Sequence, residues 1–288
     1  MTKNSQGIIW ALVATALFSV EAAIAKMAVT EFHVLQILFF RQLFVFGSAL
    51  PAIKKSFPHS LATQYPGIHA ARLTGAFTAL SAGIWAVSVL PLTTATTLSF
   101  AKVFFVALLA LIFLSEQIGA YRGSAVVVGF LGVVIVMRPG LQGLADPNVL
   151  IAIVGALGAA VAQICVRKLS QTESTATLLT YQAVFVGSIA GVSLFWLWVT
   201  PTLSGLLMLA GIGILATAGQ WLAVKALRLS EAGVVANVQY VQLVYAAVLG
   251  FVIFSETPDA YTLIGAMVII GSSIILFNHE SRRQQVAR

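Results

Sequence analysis

Three charged side chains stand inside long apolar runs: Glu21, Arg41 and Lys102. A charge at the centre of a bilayer costs at least ~2.5–3.5 kcal/mol, so each needs a partner or a task. At 1.5 Å of rise per residue, all three fall very roughly 10–13 Å below the same membrane boundary. Glu21 can therefore pair with Arg41 or with Lys102. Such a pair either locks helices together or lines a cavity and touches a substrate or a coupling proton. A site with one carboxylate and cationic groups suits a zwitterion. The run holding Asn237, Gln239, Tyr240, Gln242 and Tyr245 is unusually polar on more than one helical face. Lipid would not tolerate such a helix, so protein or water must surround it, and these residues become cavity candidates. Ser99 and Lys102 sit in a second polar run with Thr93, Thr94, Thr96 and Thr97, although a hydroxyl can also bond its own helix's carbonyls. Gln163 and Gln220 are further candidates to touch a substrate. Trp85, Phe100, Tyr240 and Tyr245 offer faces on which a ring could stack, while Trp10, Trp196 and Trp198 lie near run ends, where aromatic anchors are expected.

No constellation for covalent chemistry is present. There is no phosphate-binding glycine loop, no nucleophile with base and orienter, and no metal-ligand spacing among the four histidines. The lone Cys165 excludes an internal disulfide and a cysteine cluster. An intramembrane enzyme would need a second acid or a nucleophile beside Glu21, so an enzyme is not expected, and neither is a cofactor. Glu116 and Glu256 end their runs at tight turns, where a carboxylate caps the helix that follows by meeting its positive end.

The elements that must position these residues are membrane spans. Hydrophobic residues make up 59% and charged residues 9% of the 288, far from the soluble average of about 25% charged. A span needs about 20 apolar residues. Ten such runs occur, at 7–29, 33–53, 69–89, 93–114, 120–137, 148–168, 175–199, 203–228, 231–254 and 258–277. With the N-terminus inside, 12 of the 16 Lys and Arg residues fall on cytoplasmic segments and only Lys26 and Arg138 fall outside. That bias places both termini in the cytoplasm and accounts for the net charge of +7 without nucleic acid.

The chain repeats itself. Leu114-Ser115-Glu116 with Ala120-Tyr121 recurs as Phe254-Ser255-Glu256 with Ala260-Tyr261, an offset of 140. Glu21 and Lys26 align with Gln163 and Lys168 at an offset of 142. Residues 1–140 and 145–288 thus form two halves of five spans, and an odd number inverts the second half in the membrane. These paired units resemble the drug/metabolite transporter superfamily in its ten-span EamA-type branch, over essentially the whole chain. The resemblance implies an all-α integral membrane protein with two inverted five-helix repeats around a central cavity, alternately open to either side. It departs from the pattern where many relatives carry proline before the terminal glutamate: here stand Lys102 and Gln242. The implied function is secondary transport of amino acids or similar small metabolites, as an exporter in a bacterial cytoplasmic (inner) membrane. The alternative is an uptake carrier for a vitamin-like or nucleoside-like aromatic metabolite. A small-molecule substrate and the lipid bilayer are the expected partners, and the internal pseudo-symmetry suggests that a monomer suffices. A channel fits less well, because channels usually assemble rings of equivalent groups across subunits.

Overall fold

Runs of Ala, Leu, Val and Ile punctuated by Pro, Asp and Gly fold into helices throughout the computed structural model, which describes residues 3–56, 63–114, 120–137, 146–169, 172–229 and 238–272. In order these are α1 (Lys3–Ala28), α2 (Val34–Ser56), α3 (Pro66–Val89), α4 (Leu92–Ser99), α5 (Lys102–Leu114), α6 (Ala120–Met137), α7 (Pro147–Leu169), α8 (Thr175–Leu197), α9 (Leu203–Leu229), α10 (Val241–Phe254) and α11 (Ala260–Ser272). Because α4 and α5 are two pieces of one span, the helices make ten spans. Five of them are long and apolar enough to cross a bilayer over their described lengths. Large apolar side chains such as Phe195, Leu203 and Val252 point outward and stand exposed, the pattern of a surface solvated by lipid.

The packing obeys a pseudo-twofold exchange of the halves. α1 lies along α9, and its counterpart α7 lies along α3, while α2 packs on its own counterpart α8 and α4 on α10. Lipid supplies no hydrophobic drive between helices, so close approach rests on small residues. A Cβ at Gly75 of α3 would come 2.7 Å from the Gly158 carbonyl oxygen of α7, and one at Gly158 would come 2.8 Å from that of Gly75. α6 and α11 meet in the same way at Gly132 and Gly265. Gln36, fully buried on α2, clamps the peptide of Val199: its Nε2 donates to the carbonyl at 2.7 Å and its Oε1 accepts from the amide at 3.0 Å.

The fourth span is not the continuous helix expected over 93–114. The Phe100, Ala101, Val103 and Phe104 amides each bond three residues back instead of four. No proline causes this. Thr96 and Thr97 hydroxyls donate to the Leu92 and Thr93 carbonyls, and Ser99 to that of Thr96; such back-bonding bends helices. The ninth span breaks at Tyr240, where the Leu243 amide also bonds three residues back. The two breaks, Phe100 and Tyr240, are 140 residues apart and thus equivalent in the repeat.

Side chains just ahead of α7, α8, α9 and α11 cap those helices. Asp146 accepts from the Asn148 amide ahead of α7, Ser174 from Thr177 in α8, Thr202 from Gly205 in α9 and Asp259 from Thr262 in α11. The expectation that Glu256 caps the helix following it is corrected here. Asp259 holds that place, being one residue before the helix begins. Glu256 instead folds back, because Ser255 takes a left-handed conformation (φ 55°, ψ 28°) and the Glu256 amide bonds the Gly250 carbonyl. Its Oε2 accepts from the Leu92 amide at 2.8 Å, capping α4 in the other half. Glu116 and Asn237 lie outside the described residues.

Candidate functional site

The described helices line a cavity of about 320 Å3 between α1, α3, α4 and α7, with single residues from α2, α5 and α10. This is at the lower end of the roughly 300–1,000 Å3 typical of ligand pockets. It lies towards the C-terminal ends of α1 and α3 and the N-terminal half of α7. Its wall is mostly small and apolar: Ala22, Ala79, Gly83, Ala95, Ala152, Gly155, Ala156 and Ala159 leave the space, while Phe18, Leu80, Ile84 and Val87 line it with larger faces. The Ala and Gly run on α7 thus serves the cavity as well as helix packing.

Charge enters this wall at three points. Glu21 Oε1 accepts a hydrogen bond from Arg41 Nε at 2.7 Å, and both side chains are largely buried. Arg41, not Lys102, is the partner that Glu21 takes. Arg41 Nη1 is buried with no hydrogen-bond partner among the described residues. Lys102 has neither a hydrogen-bond acceptor nor an ion-pair partner among them; its ammonium stands 5.7 Å from the Phe100 ring centroid. The cavity lining therefore carries one balanced pair and one unbalanced cation.

Lys102 is also shared. Together with Phe18 and Gln242 it lines a second chamber of about 80 Å3, nearer the N-terminal half of α1, between α1, α5, α9 and α10, where Gln239 and Thr15 also stand. α1 and α9 are the repeat counterparts of the α7 and α3 that wall the larger cavity, and α10 is the counterpart of α5. Lys102 and Gln242, 140 residues apart, thus occupy equivalent places at the junction of a wide and a narrow compartment.

Other sequence candidates are placed differently. Phe100 and Tyr240 are buried against each other with ring centroids 5.0 Å apart. They close the crossing of the broken spans instead of offering a free stacking face. Ser99, Lys102 and Gln242 line the cavity, and Gln239 lines the second chamber. Gln163, one turn beyond Ala159, is exposed and outside both linings. Gln220 and Tyr245 are half-buried and also outside them, the Gln220 Oε1 lacking a hydrogen-bond partner among the described residues. Trp85 turns into an outer vestibule of about 640 Å3, lined also by Lys26, Glu31, His33 and Phe254.

Sequence reasoning missed Phe18 on the cavity wall and the ion pair of Lys26 with Glu256. It also missed a buried cluster at the N-terminal end of α3, where Glu173 takes hydrogen bonds with His69 at 2.7 Å and Thr63 at 2.6 Å. A signal for part of this exists: Lys26-Met-Ala-Val-Thr30-Glu31 recurs as Lys168-Leu-Ser-Gln-Thr172-Glu173, which marks both span-ending loops as equivalent and polar for a reason.

Known proteins align with this arrangement over its full length. S-adenosylmethionine uptake transporter of Rickettsia bellii (strain RML369-C) is 30% identical over 278 residues, 96% of this chain and 95% of that one. Riboflavin transporter of Rhizobium johnstonii is 24% identical, covering 97% and 93% of the two chains. Pseudopaline exporter CntI of Pseudomonas aeruginosa (strain UCBPP-PA14) is 28% identical, covering 94% and 95%. A crystal structure matches at a TM-score of 0.66 with 14% identity, covering 94% of this chain and 96% of that one, a likeness of fold alone. The model of the EamA-like transporter family matches residues 5–138 and 147–278. Two repeats of that family and relatives that align almost end to end converge: the chain belongs to the EamA-like transporter family of the drug/metabolite transporter superfamily, and as a member of it is a multi-pass membrane transporter of small molecules, not an enzyme.

Proposed function

We propose that this transporter is an uptake carrier for a nucleoside-like or vitamin-like aromatic metabolite that bears a carboxylate, with S-adenosylmethionine the first compound to test. Lys102 carries the reading: an unpaired ammonium on the wall shared by both compartments calls for an anionic group from the substrate. The Glu21–Arg41 pair beside it provides the opposite sign for a substrate ammonium or sulfonium, and Phe18 with Ile84 and Val87 provides an apolar face for a ring. S-adenosylmethionine combines all three: a carboxylate, positive centres and a flat base. The relatives named above support uptake of ring compounds more than export of free amino acids. The amino acid head of S-adenosylmethionine is itself a zwitterion, so this substrate is compatible with the pairing of a carboxylate and cations expected from the sequence. Export remains the second reading, favoured by the pseudopaline exporter. We take residues 1–140 and 145–288 as the two units that rock about the cavity, within a monomer whose termini face the cytoplasm of a bacterial cell. The test is uptake by sealed liposomes of labelled S-adenosylmethionine, riboflavin and amino acids, each with unlabelled competitor. Saturable uptake of S-adenosylmethionine or riboflavin supports the proposal. Saturable amino acid transport alone replaces it with the second reading.

A further inference from the structure

We propose that Lys26 and Glu256 form an ionic latch between the vestibule and the central cavity, opened by a ligand head group that carries an ammonium and a carboxylate together. This rests on the reading of the cavity as a transport site and names the chemistry that admits a substrate to it.

The two spaces stand back to back. On α1, Ala25 faces the cavity and Lys26 faces the vestibule; on α3, Ala86 and Val87 face the cavity while Trp85 and Ser88 face the vestibule. Neighbouring residues of the same two helices thus line the two spaces, and Lys26 stands on the vestibule side of this wall. Lys26 Nζ donates to the Glu256 carboxylate and, at 2.7 Å, to the Leu90 carbonyl. Glu256 Oε2 holds the Leu92 amide, and the Phe254 ring lies 5.2 Å from the Lys26 ammonium. One pair of side chains thereby joins the end of α1, the corner between α3 and α4, and the end of α10. The last belongs to the second repeat and the others to the first, so separating the repeats on this side requires breaking the pair.

The side chains are only 14% and 21% exposed. Parting them leaves two poorly solvated charges, and that penalty keeps the wall shut. A neutral ring compound relieves neither charge, and a simple ion relieves only one. A head group with both signs on adjacent carbons relieves both, its carboxylate on Lys26 and its ammonium on Glu256. The same complementarity recurs inside the cavity at Lys102 and Glu21, so such a ligand leaves one pair of opposite charges for another.

The latch is tested with a reporter cysteine at Ala95, which lines the cavity and is only 5% exposed while the latch is closed. Ala95→Cys is placed in a Cys165→Ser background and labelled with a membrane-impermeant thiol reagent applied from the vestibule side. The intact latch should label slowly. The neutral pair Lys26→Gln with Glu256→Gln, which can still hydrogen-bond, should label at least about tenfold faster, while Lys26→Arg should stay slow. S-adenosylmethionine or methionine should speed labelling of the intact latch several-fold, and adenosine should not. Equal rates for the intact and neutral pairs would overturn the latch. Acceleration by adenosine, or none by either zwitterion, would overturn the head-group rule. Labelling of the unliganded protein needs no substrate, so its outcome stands apart from whether S-adenosylmethionine is carried.

Discussion

Replacing Lys102 by methionine separates a functional charge from a structural one. An unpaired cation in a span costs ~2.5–3.5 kcal/mol at the bilayer centre. Lys102 recovers part of this from the Phe100 ring at 5.7 Å, worth about 0.5–1 kcal/mol at a solvated site, and part from whatever water enters the cavity. Lys102→Met keeps the length of the stem and removes the charge. It should therefore stabilise the folded protein by about 1–2 kcal/mol, the usual trade between stability and a working site. For a chain of this size that is a rise of about 2–3 °C in melting temperature, read by intrinsic fluorescence in detergent from the five tryptophans. The same variant should lose the charge-assisted hydrogen bond to a substrate carboxylate, worth about 1.5–3 kcal/mol, or roughly 10–100-fold in affinity. A drop in melting temperature of similar size would refute the reasoning, since it would mean that Lys102 holds the fold together.

Glu21→Gln should have the opposite sign. It strands the buried Arg41 guanidinium, whose Nη1 already lacks a partner among the described residues, at about 3 kcal/mol; adding Arg41→Met should recover most of that in thermal unfolding, and equal losses in the single and double variants would show the pair to be uncoupled. Gly158→Leu drives a side chain into the Gly75 carbonyl and should cost about 1–3 kcal/mol or more, visible as lower yield of folded protein by size-exclusion chromatography, whereas Gly47→Leu, with open space at its Cβ, should be tolerated. Ser255→Gly relieves a left-handed residue and should raise stability by about 1 kcal/mol, with Ser255→Val lowering it.

The residues that could be read from the chain are those whose placement follows from depth alone. Glu21 and Arg41 sit on neighbouring antiparallel spans at one level, and the structure joins them at 2.7 Å. Lys26 and Glu256 are 230 residues apart, and each has an ordinary local explanation, a charge past a span end and a helix cap. Only the left-handed turn at Ser255 redirects the carboxylate to its distant partners, and no single-residue propensity announces that. Gln163 shows a different limit: it is the repeat counterpart of Glu21, but the compartment on its side is narrow, so sequence equivalence does not give equal access to the cavity. Phe100 and Tyr240 were legible as aromatic and as repeat mates, yet their burial against each other depends on both sitting at the pseudo-twofold crossing, which a hydropathy pattern does not locate.

The account rests most on a carrier with Lys102 at the meeting point of two compartments. Counterflow tests it directly: liposomes holding unlabelled S-adenosylmethionine inside are offered labelled compound outside, with native protein and with Lys102→Met beside it. The predicted result is a transient accumulation of label with the native protein and none with the folded Lys102→Met variant. Accumulation undiminished in the variant, or none with the native protein for any carboxylate-bearing ring compound, would contradict it.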